Sequence, residues 1–239
     1  MSRVVLVHGF TQTGASWARI AADLGVDHEV VCVDAPGHGE RASVSGDLWD
    51  GAQRLGADGG PATYLGYSMG GRLALHLALR SPDLVQALVL VGVTAGIEDE
   101  HERAARRASD DSLAERVEHV GVERFLDEWL DQPLFAGLDA TAQDRASRLG
   151  NTAAGLASSL RGAGTGAQEP LWARLGELTM PVLVVAGARD EKFRAIGERM
   201  VAHIPNATMA VVADAGHAAP FERPDAFLAV VRPWLTSRP

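Results

Sequence analysis

The chain has 239 residues, 46% of them hydrophobic and 22% charged, which suits one large domain or one domain carrying an insertion. Its 22 basic residues stand against 31 acidic ones, a formal net charge of -9. That balance excludes a broad cationic footprint for nucleic acid or an anionic membrane, so an anionic ligand must be met by a local basic pocket. The lone Cys32 excludes an intrachain disulfide framework. The opening segment Met1–His8 has no apolar stretch of signal-peptide length, and the run from Leu84 to Val93 falls far short of the roughly 20 residues that span a bilayer. The expectation is a soluble, cytoplasmic protein.

Along the chain, short Val- and Leu-rich runs recur at Val4–Val7, Val30–Val33, Thr63–Gly66, Leu88–Val93, Val182–Ala186 and Met209–Val212. Their near-continuous hydrophobicity is that of parallel strands covered on both faces, and helical patterns lie between them. This predicts an α/β fold with a six-stranded, mostly parallel sheet flanked by helices. The rhythm breaks between about Ile97 and Leu178, where Glu98–Ala108 and Ser112–Leu130 read as charged amphipathic helices. Ser109 followed by Asp110 and Asp111 has the composition of a helix N-cap and first turn. Residues 1–96 and 179–239 are therefore expected to form the core, and 97–178 a helical lid. Gly162-Ala163-Gly164-Thr165-Gly166 is expected to be a flexible stretch. Its formal match to a dinucleotide-binding G-x-G-x-x-G/A is rejected, because no strand precedes it.

Gly66-Tyr67-Ser68-Met69-Gly70 matches G-x-S-x-G. The motif alone is weak, but here it follows an apolar run and opens a buried helical pattern (Leu73, Ala74, Leu77, Ala78), the strand–turn–helix setting of a nucleophile elbow. A serine nucleophile needs a base, and the base needs an orienting acid. Asp190 follows the Val182–Ala186 run and His217 follows Val211–Val212, giving the order Ser…Asp…His. Carboxyl ends of parallel strands share one sheet edge, so Ser68, Asp190 and His217 are expected to converge as catalytic residues. Asp214 competes for the acid role but stands too close to His217 in sequence. The backbone amides of Phe10 and Met69 are the expected oxyanion hole, each such donor being typically worth about 3 kcal/mol at the transition state. His8 and His38 are read as structural.

His8-Gly9-Phe10, Asp34-Ala35-Pro36-Gly37-His38-Gly39, the elbow, and the Asp190 and His217 loops together resemble the α/β-hydrolase superfamily over nearly the whole chain. In that resemblance Val4–Val7 corresponds to the usual third strand.

Arg72 stands four residues after Ser68, on the same helix face, where its fork can bind a carboxylate bidentately. In the insertion, Arg106 and Arg148 are candidates for the same task, and composition does not separate them from Arg103, Arg107 and Arg145. A narrower resemblance does. Tyr67-Ser68-Met69-Gly70-Gly71-Arg72, Glu102–Arg106, Trp129–Phe135, Arg148 with Asn151, and Gly187–Phe193 are similar to the synthases that make 2-succinyl-6-hydroxy-2,4-cyclohexadiene-1-carboxylate (SHCHC) in menaquinone biosynthesis. That resemblance implies elimination of pyruvate from SEPHCHC with no metal or organic cofactor. It implies a small polycarboxylate partner held by Arg72, Arg106 and Arg148, in a pocket lined by Tyr67, Trp129 and Phe135. After His217 this chain reads Ala218-Ala219-Pro220-Phe221, where the resemblance leads one to expect a second histidine. The alternative activity is that of a carboxylesterase or carbon–carbon bond hydrolase using the same triad; a non-catalytic binding module is disfavoured by the complete triad. Oligomeric state is not written in the sequence.

Overall fold

Near-continuous apolar runs need cover on both sides, and the computed structural model, which describes residues 1–139 and 142–237, provides it. The strands are β1 (Arg3–Val7), β2 (Glu29–Val33), β3 (Ala62–Tyr67), β4 (Val85–Val91), β5 (Val182–Gly187) and β6 (Ala207–Val212). They form one sheet in the order β2-β1-β3-β4-β5-β6, with every neighbouring pair parallel. Strands β3 and β5 are buried throughout, whereas the edge strands β2 and β6 keep exposed positions. The period-two alternation of a strand sends Val4 and Leu6 to one core and Val5 and Val7 to the other.

The first core is closed by α1 (Ala18–Leu24), α8 (Ala219–Glu222) and α9 (Pro224–Thr236), through Trp17, Ile20, Leu24, Phe227 and Val231. The second is closed by α2 (Leu48–Gly59), α3 (Met69–Arg80) and α7 (Glu191–His203), through Leu55, Leu73, Leu77 and Met200. Fully burying side chains of this size contributes roughly 1.5–3 kcal/mol each.

Between β4 and β5 come α4 (Glu100–Leu130), α5 (Ala142–Leu149) and α6 (Ala153–Ala163). Helix α4 packs on α6 through Ala114, Val117 and Phe125 against Leu156, Ala157 and Leu160. Both ends of the segment are fastened at neighbouring points: Leu171 N donates to Ala95 O at 2.7 Å, and Trp172 Nε1 to Gly96 O at 2.9 Å.

Two local expectations are corrected here. Ser109-Asp110-Asp111 does not cap a helix; α4 runs through it and is capped instead by Asp99, whose side chain accepts from Glu102 N at 2.8 Å. Asp110 is fully buried and stays helical because its carboxylate finds partners elsewhere, Arg106 Nε at 2.7 Å and Gly166 N at 2.9 Å. The break in α4 comes at Gly121, whose φ of 80° suits the one residue without a Cβ. The expected flexible stretch Gly162–Gly166 is likewise packed: Gly162 and Ala163 end α6, and Gly166 lies so close to α4 that a Cβ there would meet Arg107 N at 2.2 Å.

Candidate active site

Strand β3 ends at Tyr67 and α3 begins at Met69, leaving Ser68 alone in the turn with φ 51° and ψ -111°. A non-glycine residue in that region is strained, and such strain persists only where the surroundings over-determine it. Here the flanking glycines permit it. A Cβ on Gly66 would meet Gly71 N at 2.5 Å, and one on Gly70 would meet Val7 O at 2.3 Å. The tight approach of helix to strand sets the Ser68 hydroxyl at the N-terminus of α3, its positive end.

Asp190 follows β5 and caps α7, its Oδ1 accepting from Phe193 N at 3.2 Å. Its Oδ2 is 2.8 Å from His217 Nδ1, and His217 Nε2 is 3.2 Å from Ser68 Oγ. With Nδ1–H donating to the carboxylate, Nε2 offers its lone pair to the hydroxyl, the arrangement in which a serine loses its proton to the ring. The histidine and aspartate side chains are 3% and 7% exposed, dry enough for the contact to act at low local dielectric. The rings of Phe193 and Tyr67 flank the imidazole at 4.4 and 5.5 Å. Asp214, the competing acid, is exposed and pairs with Arg189 at 3.3 Å, outside this chain of contacts.

The amides of Phe10 and Met69 donate to no protein acceptor among the described residues. The loop that carries Phe10 is held from several sides. Thr11 has a φ of 68°, its amide donates to His38 Nε2 at 3.2 Å, and its hydroxyl accepts from Arg148. The Thr11 carbonyl accepts from Asn151 Nδ2 at 2.7 Å. His8 and His38 are buried structural acceptors: His8 Nε2 receives the Ala35 amide at 3.0 Å. Burial pushes His8 down to about 4 and His38 down to about 3, so both rings stay neutral.

Over Ser68 lies a cavity of about 170 Å³ between the sheet edge and the insertion. All of the sequence-predicted residues that line a pocket meet here: Phe10, Tyr67, Ser68, Met69, Arg72, Arg106, Trp129, Phe135, Arg148 and His217. Asp190 stands behind His217. Arg72 is buried, and the burial, with Arg106 adding repulsion, pushes its guanidinium down to about 10 against the pull of Asp110. Arg106 is half-buried and tied to Asp110, while Arg148 is buried and also props Thr11. Where the resemblance suggested a second histidine, Ala218 and Ala219 are buried and Phe221 packs its ring 5.4 Å from Tyr67.

Three buried donors in residues lining this cavity have no protein partner among the described residues: Arg72 Nη1, Trp129 Nε1 and Gln12 Nε2. Buried donors left unpaired cost about 1–3 kcal/mol each, so a group that accepts hydrogen bonds is the natural complement of this space. Gln12 was not singled out from sequence, and neither were Lys192 and Phe193, which also line the cavity. The proximity of Lys192 to Asp190 in sequence was the available signal. Among the described residues no group of three or more His, Cys, Asp or Glu could hold a metal ion, and no helix is long and apolar enough to cross a membrane.

Comparison with known proteins agrees with this architecture. Residues 2–224 match the family model of the alpha/beta hydrolase fold. The 2-succinyl-6-hydroxy-2,4-cyclohexadiene-1-carboxylate synthase of Enterobacter sp. (strain 638) is 33% identical over 98% of this chain and 92% of its own length. A Bacillus subtilis (strain 168) protein that bears the same name provisionally is 36% identical over 98% of this chain and 90% of its own. Among solved structures, MenH from S. aureus superposes with a TM-score of 0.92 at 30% identity, over 99% of this chain and 94% of that one. A malate-bound thermophilic esterase from Thermogutta terrifontis follows the same fold at a TM-score of 0.83 and 25% identity, over 99% of this chain and 90% of that one. The insertion is included in these alignments, as is the sheet that carries Ser68, Asp190 and His217. The chain belongs to the alpha/beta-hydrolase fold family and, within it, to the family of the 2-succinyl-6-hydroxy-2,4-cyclohexadiene-1-carboxylate synthases.

Proposed function

We propose that this chain is a carbon–oxygen lyase that eliminates pyruvate from SEPHCHC to give SHCHC in menaquinone biosynthesis. Ser68, Asp190 and His217 form its triad, and residues 97–178 act as a lid on a core of residues 1–96 and 179–239. The Ser68 hydroxyl gives its proton to His217 Nε2, and its oxygen takes a proton from a substrate carbon. The electron pair left on that carbon becomes the new double bond and expels the oxygen of the pyruvate unit, which recovers a proton from the imidazolium. Asp190 holds the ring and stabilises its cationic form. The amides of Phe10 and Met69 stabilise the anion that develops during proton removal.

The observation that carries this reading is the unpaired Arg72 Nη1, buried one helical turn from Ser68 in a protein of net charge -9. An ordinary apolar ester leaves that guanidinium unpaired; a substrate with carboxylates satisfies it, with Arg106 and Arg148 beside it. Tyr67, Trp129 and Phe135 supply apolar walls for a ring. A small polycarboxylate partner and a cytoplasmic setting go with the proposal.

The test is to mix purified protein with SEPHCHC and follow both pyruvate, through a coupled dehydrogenase, and the absorbance of the conjugated diene. Stoichiometric appearance of both is expected. The hydrolase alternative draws support from the esterase of the same fold. It predicts instead a burst and steady turnover with an activated ester, and no pyruvate from SEPHCHC.

A further inference from the structure

Lys192 is the only lysine in the chain; the other 21 of its 22 basic residues are arginines. It stands at the start of α7, two residues after Asp190, with its ammonium 5.9 Å from the centre of the Phe193 ring. That ring in turn lies 4.4 Å from the ring of His217. Most arginines of this protein have a carboxylate partner, yet Lys192 has none among the described residues, although acidic side chains are in excess. Asp190, two residues before it in sequence, is committed to His217 and to the Phe193 amide.

A second chamber, of about 480 Å³, adjoins the first. The two share Ser68, Arg72, Arg106, Thr165, Lys192 and Phe193, so they are lobes of one site joined at the nucleophile. The lobes differ in character. The first has Phe10, Trp129 and Phe135 beside Arg148, while the second has Glu98, Asp99 and Glu102 beside Arg199 and Trp172. Glu98 is neutralised by Arg199 at 2.6 Å, and Arg199 also lies over Trp172, its guanidinium 3.8 Å from the ring centre. The cations not consumed by such pairing are at the neck, Lys192 and Arg72.

We propose that Lys192 binds the carboxylate of the small 2-oxo acid that the reaction releases, holding it in the second lobe while the ring fragment stays in the aromatic one. This inference rests on the lyase reading given above. Elimination beside Ser68 separates two fragments of unequal size, and the site offers two lobes that both border that residue. A lysine suits a departing group, because its ammonium is a compact charge on a flexible stem, whereas an arginine fork fixes its partner bidentately.

Having one lysine makes the test specific. The wild type is treated with an amine-acetylating reagent, with and without pyruvate, and acetylation is mapped at Lys192 against the amino terminus as internal reference. Pyruvate is expected to protect Lys192 and not the terminus. In parallel, Lys192→Met is expected to raise the inhibition constant for pyruvate by about tenfold, the scale of one charge-assisted hydrogen bond, and to leave that of the ring product unchanged. Lys192→Arg is expected to fall between. Lack of protection, lack of pyruvate inhibition of the wild type, or an equal change for both products would each overturn the assignment. Release of pyruvate from SEPHCHC is read separately. If it occurs without protection, the lyase stands and this role for Lys192 falls; if it does not occur, the lyase reading itself falls.

Discussion

Asn151 joins the helical insertion to the loop of the Phe10 amide by donating through Nδ2 to the Thr11 carbonyl at 2.7 Å. Its Oδ1 accepts from Gly39 N at 2.9 Å, so one side chain binds two turns of the core. Asn151→Ala leaves a buried carbonyl and a partly buried amide without partners. It is expected to cost about 1–3 kcal/mol of stability and, by loosening the Phe10 amide, to lower kcat about tenfold. Urea unfolding and steady-state kinetics check the two parts, and a wild-type kcat would uncouple the insertion from the proposed role of the Phe10 amide.

Arg72 presents the reverse balance. Its Nη1 is buried and unpaired, so the folded protein gains little from it in the absence of ligand. Arg72→Ala is expected to change stability by no more than about 1 kcal/mol while lowering kcat/KM for SEPHCHC about a hundredfold, the loss of a bidentate, charge-assisted contact. Equal kcat/KM in the variant would remove the carboxylate role.

Glu222 folds back onto the loop of the histidine. Its carboxylate accepts from Gly216 N at 2.7 Å and from Ala218 N at 3.0 Å, the two amides that flank His217. It is a positioning residue, and Glu222→Gln retains one acceptor oxygen for two donors. A fall in kcat of about tenfold at nearly constant KM is expected, since ring orientation matters in the transition state more than in binding. A change confined to KM would argue against that role.

Acid should weaken the fold through His8 and His38. Their folded values, about 4 and about 3, lie below the ordinary value near 6.5. Between those limits the unfolded chain binds protons that the folded chain refuses. Stability therefore rises with pH through this window and is lost as pH falls below about 6.5. Each ring contributes a slope approaching about 1.4 kcal/mol per pH unit. Urea midpoints measured from pH 7.5 to 5 should decline, and His38→Gln should flatten the decline; a flat profile in the unaltered protein would contradict the neutral burial of both rings.

The sheet was legible because parallel strands covered on both faces carry their signal in every residue, and the meeting of Ser68, Asp190 and His217 because each follows such a strand. Ser109–Asp111 misled for a physical reason. A run of capping residues reads as a terminus only if its side chains serve the local backbone, and Asp110 serves Arg106 and Gly166 instead. The true break at Gly121 is an isolated glycine in a polar helix, a signal present but outweighed by the stronger capping composition. Glu222 was invisible because its partners are backbone amides, which carry no sequence identity. Gln12 was hidden for another reason: an unpaired donor is defined by what fails to approach it in three dimensions.

The clasp formed by Leu171 with Ala95 and Trp172 with Gly96 has a consequence for the cavity. A segment stitched shut at its base can be lengthened, shortened or replaced by another of similar footprint at little cost, because loop-closure entropy grows only slowly with length. The sheet keeps its register whatever is grafted there. A change in the inserted segment can therefore reshape the cavity over Ser68 while the sheet keeps Ser68, Asp190 and His217 together.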